Sequence, residues 1–126
     1  AHAGWRGLCA GVLEATVRAM GVEPQGIHAW LGPAIGAEHF EVGEEVRAAF
    51  IAHDAHAGAA FTANARGRWQ CDLQWLAHSR LAALGLRRIA TAGLCTYADA
   101  ARCYSYRREG RTGRMAALLW RAGTGP

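Results

Sequence analysis

The stretch HAGWRGLCAGVLEATVRAMG, residues 2–21, carries the strongest structural signal in the chain. Its first six residues, His2 to Gly7, place an imidazole, an indole, a guanidinium and two glycines on what reads as one sharp turn from strand into helix. Behind that turn Cys9, Val12, Leu13, Thr16, Val17 and Met20 recur at helical spacing, and Gly21 stands where a helix would stop. A histidine just ahead of such a turn lies on the rim of a sheet, where strand ends deliver side chains into a crevice. The chain starts inside this turn with no strand before it, so the parent protein is expected to continue upstream.

Outward from this segment, Ile27 to Leu31 reads as a short buried strand running into the loop Gly32-Pro33-Ala34-Ile35-Gly36. The glycines of that loop permit close backbone approach to a ligand or to another element. Residues 43–52 predict a helix with Val42, Val46, Ala49 and Phe50 on one face. Residues 53–67 read as a loop with a short strand around Phe61. Asp72 is a natural N-cap for a helix whose stripe is Leu73, Leu76, Arg80, Leu81 and Leu84, with Gly85 as its stop. Arg88 to Ala92 then reads as a strand and residues 93–101 as a loop. Cys103 to Tyr106 and Met115 to Trp120 read as two further strands, joined by the turn Arg107 to Arg114. Helices early, strands between and a late hairpin predict one α+β domain over residues 1–126, of mixed layer architecture. As half of a larger sheet it would leave an edge for a partner strand.

At 126 residues, 52% hydrophobic and 19% charged, the chain has the composition of a folded soluble domain. No apolar run reaches membrane-spanning length and no signal peptide is visible, so a cytoplasmic protein is expected. The net charge is +4, and all 14 basic residues are arginine. Selection for bidentate oxyanion contacts and a coding bias that also favours Ala and Gly would each produce this. Cys9, Cys71, Cys95 and Cys103 form no Cys-x-x-Cys pair, which points to reduced thiols and away from a cysteine-rich zinc site.

Few of these residues declare a chemistry by spacing alone. His2 is the candidate metal ligand, although catalytic zinc needs three protein ligands. His53 and His56 lie in an Ala-rich loop and read as surface; His28, His39 and His78 read as isolated. Tyr104 to Arg114 gathers four arginines beside Tyr104, Ser105 and Tyr106, which suits a phosphate or carboxylate grip as well as a turn facing water. Interleaved arginine and aromatic side chains are only a weak sign of RNA binding. No His-x-His pair occurs, which weighs against a multicopper site.

Taken together, His2 to Gly7, Gly32 to Gly36 with Phe40 to Val46, Asp72-Leu73, Cys95-Thr96, and Ser105 to Arg108 with Thr112 to Met115 resemble the YfiH family, also called the laccase-domain or polyphenol oxidase family. The resemblance covers the C-terminal half of such a protein. It implies an α/β/β/α sandwich, similar to that of a toxin deamidase with a Cys/His pair, present here as an incomplete half. It also implies a zinc-dependent purine nucleoside phosphorylase, acting on adenosine, inosine or methylthioadenosine with phosphate, with adenosine deaminase activity. His2 corresponds to one of three zinc ligands, the other two being expected in the missing N-terminal half; copper fits poorly. Arg6 and Arg107 are candidates for phosphate or substrate contacts. A peptidoglycan-editing hydrolase and a non-catalytic phosphate- or RNA-binding module are the alternative expectations. Cys103-Tyr104 departs from the aromatic pair usual before Ser-Tyr-Arg-Arg, a change in packing more than in chemistry.

Overall fold

In a computed structural model, which describes residues 1–120, the expected first helix is two helices. These are α1 (Trp5–Cys9) and α2 (Val12–Ala19), so Trp5 and Arg6 are helical and do not belong to the turn. Gly11 lies between them at φ 89°, a left-handed value that a side chain disfavours. The break lets the halves face different interiors: Leu8 and Cys9 enter one core cluster, Val17 another.

Strand β1 (His28–Leu31) pairs in parallel with a later strand formed by Arg88–Thr91, with His28 opposite Arg88 and Leu31 opposite Thr91. Parallel pairing requires a long crossover, and here the crossover holds a second sheet. That sheet comprises β2 (Glu41–Val42), β3 (Phe61–Ala63) and β4 (Trp69–Cys71), antiparallel in the order β2-β4-β3. The strand Arg88–Thr91 is therefore β5. Helix α3 (Glu44–His53) follows β2 and helix α4 (Leu73–Ala83) follows β4. The short strands β2 and β4 leave no signal in the sequence, because two or three residues carry no readable alternation.

The first core cluster joins Leu8 and Cys9 to Phe40, Val42, Phe50, Phe61, Cys71 and Leu76, so α1, α3 and α4 cover the three-stranded sheet. A second cluster of Val17, Ile27, Leu81 and Leu86 seats β1 and β5 against α2 and α4. Helix α4 enters both clusters, through Leu76 and Leu81, and so fixes the two sheets in one α+β arrangement. Its expected cap is present: the Asp72 carboxylate accepts a hydrogen bond from the Trp75 N–H at 2.8 Å. Asp72→Ala should lower the unfolding free energy by about 1 kcal/mol in a denaturant titration.

The late hairpin does not form. Tyr106–Glu109 is a helical turn, α5, because the Ser105 hydroxyl caps it by accepting from the Arg108 N–H at 3.4 Å. Capping by serine thus overrides the strand preference of Cys103 to Tyr106. Met115 to Trp120 consequently has no strand to pair with among the described residues, and Leu118, Leu119 and Trp120 are exposed. Among the described residues no helix is long and apolar enough to cross a membrane.

Candidate functional site

Parallel strands leave a crevice beyond their carboxyl ends, and the loops after β1 and β5 meet there. The loops continue the pairing: the Ala34 N–H donates to the Leu94 carbonyl at 3.3 Å, and the Thr96 N–H donates to the Ala34 carbonyl at 2.9 Å. This bridge sets Gly36 against Cys95. The Gly36 N–H donates to Cys95 Sγ at 3.1 Å, and a Cβ at position 36 would stand 3.2 Å from that sulfur. The close approach allowed by the loop glycines is therefore made to Cys95.

A 3-10 turn at Ala37–His39 follows directly and delivers the His39 ring. Its Nδ1 lies 3.6 Å from Cys95 Sγ, and the ring stacks on Tyr97 with centroids 4.6 Å apart. The Ala98 N–H approaches the same sulfur at 3.5 Å. Partial burial pushes the Cys95 thiol up, but the N–H groups of Ala98, Gly36 and Tyr97 outweigh it, against the opposing Glu38 carboxylate, and hold the thiol below the ordinary range. Cys71 shows the opposite case: burial drives it up to about 12, with the Asp72 charge adding to the effect. All four cysteines are free thiols, and Cys95 is the one that is not buried. His39 is isolated in the sequence because its partner is 56 residues away, and the parallel bridge brings the two together.

The arginine segment braces the loop that carries Cys95. Arg108 Nη1 donates to the carbonyls of Thr96 and Tyr97 at 2.7 and 2.8 Å, and Nη2 donates to the Cys103 carbonyl at 2.7 Å. Glu109 accepts from the same guanidinium at 2.6 Å. Arg108 is thus committed to the loop that carries Cys95. Arg107 is exposed, with its guanidinium 5.2 Å over the Phe40 ring and one donation to the Glu41 carbonyl at 3.3 Å. Most of its donors stay free for an outside ligand among the described residues.

His2 is exposed in the extended segment ahead of α1, and Arg6 is exposed with its guanidinium 4.6 Å over the Trp5 ring. A Cβ at Gly4 would meet nothing within 4 Å, so the space beside this turn is open. Ala3 and Trp5 pack on the cluster that contains Phe40, which places the His2 turn and the Arg107 side chain around one core. No hydrogen bond links His2, Arg6 and Arg107 among the described residues. Nor does any group of three His, Cys, Asp or Glu side chains able to hold a metal occur among them. His2 therefore fits as a single donor, and these residues add no second one to it. His56 is exposed and pairs with Asp54 at 3.1 Å, in keeping with a surface residue.

This arrangement of small sheets, bridging loops and the His2 turn defines the class. The chain belongs to the family described as multi-copper polyphenol oxidoreductase laccase, whose profile matches residues 1–122. It is the YfiH family. The chain is 55% identical over 121 residues to a purine nucleoside phosphorylase of Pseudomonas aeruginosa, covering 95% of this chain and 50% of that protein. It is 52% identical over 120 residues to purine nucleoside phosphorylase YfiH of Escherichia coli, covering 95% of this chain and 49% of the relative. The crystal structure of a Neisseria meningitidis protein superposes with a TM-score of 0.85 at 43% identity, over 87% of this chain and 46% of that one. Bacillus licheniformis YfiH superposes with a TM-score of 0.75 at 28% identity, over 86% and 43% of the two chains. The chain spans about half the length of the curated relatives it matches.

Proposed function

We propose that the complete protein is a zinc-dependent purine nucleoside phosphorylase that cleaves adenosine, inosine or methylthioadenosine with phosphate and also deaminates adenosine. The observation that carries this reading is the exposed His2, ahead of α1 and beside open space, in a chain whose relatives bear that enzyme name. His2 would be one of three zinc ligands, the other two lying on the remainder of the protein. Bound zinc would supply Lewis acidity.

Phosphorolysis breaks the bond between the anomeric carbon and the purine nitrogen as phosphate oxygen bonds to that carbon. Positive charge develops on the ribose while electrons flow into the base, so positioning of the dianion and electrostatics dominate the barrier. Arg107 and Arg6 suit the phosphate because each guanidinium is exposed and steadied by an aromatic ring. Arg107→Ala in the complete protein should raise the KM for phosphate about tenfold, the value of one charge-assisted contact of ~1.4 kcal/mol. An unchanged phosphate KM would remove Arg107 from the site. The four free thiols fit a reducing compartment, and we place the protein in the cytoplasm.

A further inference from the structure

We propose that Cys95 and His39 form a thiol-modification site, a nucleophilic pair that reacts with hydroperoxides and is converted reversibly to a sulfenic acid. Two loops 56 residues apart in the sequence converge to put the His39 Nδ1 3.6 Å from Cys95 Sγ, and the Gly36 N–H points at the same sulfur from 3.1 Å. A nucleophile beside a base that is itself held in orientation is the arrangement that activates a thiol, and the stack on Tyr97 supplies that orientation.

Glycine at position 36 favours this close approach, since a Cβ there would be 3.2 Å from the sulfur and would push the two loops apart by a few tenths of an ångström. The N–H groups of Gly36 and Ala98 would stabilise a thiolate, and partial exposure of both side chains leaves the sulfur accessible. Cys9, Cys71 and Cys103 are buried and lack this setting. The charged and titratable groups nearest Cys95 are Glu38 and His39 from the 3-10 turn, while Tyr97 and Asp99 follow in its own loop and Arg108 from α5 holds that loop through its carbonyls. Asp99 is held by Arg102, and Arg108 is spent on carbonyls, so Glu38 is the main opposing charge.

The step balances without another reagent. The Cys95 thiolate attacks the hydroxyl oxygen of the hydroperoxide, a sulfur–oxygen bond forms and the oxygen–oxygen bond breaks. The departing alkoxide or hydroxide takes the proton that His39 or water supplies. Sulfur loses two electrons and the peroxide gains them. A first small thiol displaces the sulfenic oxygen as water and forms a mixed disulfide, and a second releases the Cys95 thiol as the two small thiols leave joined as a disulfide.

The test uses the complete protein, hydrogen peroxide and dimedone, with adducts located by mass spectrometry between pH 5 and 10. The expected result is a dimedone adduct at Cys95 ahead of the other three cysteines. Its formation rate should inflect below the ~8.5 of free cysteine, and dithiothreitol added before the dimedone should prevent it. His39→Asn should slow the wild-type rate at pH 7 severalfold, because it removes the base that takes the thiol proton and returns it to the leaving oxygen, while the inflection, held low by the backbone N–H groups of Ala98, Gly36 and Tyr97, stays in place. No adduct at Cys95, an inflection at or above the free value, or an unchanged rate in His39→Asn would overturn the proposal. None of these readouts depends on nucleoside turnover.

Discussion

His2→Ala in the complete protein is expected to lose bound zinc and nucleoside phosphorolysis together. Loss of an outer-shell partner of a metal-bound histidine already costs about 10- to 100-fold in affinity or activity, so loss of a ligand should exceed the upper end of that range. The substitution is clean in structural terms. His2 lies outside both core clusters of this chain, so its replacement leaves their packing intact, and changes away from such packing stay within about 0.5 kcal/mol. Chelator-stripped wild type and His2→Ala should accordingly unfold at the same temperature, while the untreated pair differ because bound metal stabilises the folded state. Metal analysis, a thermal melt and a phosphate-dependent assay on adenosine measure the three quantities. A variant that keeps both zinc and turnover removes His2 from the metal site.

Arg108→Ala should be the most destabilising single change outside the cores. The guanidinium serves the carbonyls of Thr96, Tyr97 and Cys103 at 2.7 to 2.8 Å and is about 20% exposed. Alanine leaves three half-buried acceptors and the Glu109 carboxylate without their donor. Hydrogen bonds to charged groups contribute about 1.5–3 kcal/mol each, but water reaches part of this space, and a net loss of ~3 kcal/mol follows. In a protein of 150–250 residues that corresponds to a melting point lower by ~6–12 °C. Arg108→Lys should recover little, because one ammonium cannot span three separated carbonyls as the planar fork does. A shift below 1 °C in Arg108→Ala by calorimetry would show that the loop holds itself. Two adjacent arginines in one motif thus take different work, Arg108 tying the Cys95 loop and Arg107 facing outward.

That division was not legible in the sequence, where Tyr104 to Arg114 reads equally as an oxyanion grip or a solvated turn. What decides it is the Ser105 cap, which turns the chain into α5 and aims Arg108 at carbonyls of another loop. Local chemistry with strong spacing was legible: the Asp72 cap, the Leu76 and Leu81 stripe of α4, α3 after Gly43, and β5. The break at Gly11 was hidden, because both halves of the helix keep one apolar period while burying it against different clusters. The pairing of His39 with Cys95 was out of reach for a further reason. It depends on register between two parallel strands, and nothing within either loop signals the other. The His2 motif, by contrast, carried its own recognition, since several short motifs agree in order along the chain with the YfiH family.

The proposal that His2 is one corner of a zinc site in a nucleoside-cleaving enzyme is tested most directly by elemental analysis of the intact protein, paired with adenosine cleavage in the presence and absence of phosphate. The account predicts stoichiometric zinc, release of adenine only when phosphate is present, and loss of both on replacing His2. Intact protein that holds no zinc yet cleaves nucleosides, or holds zinc and leaves them untouched, would contradict it.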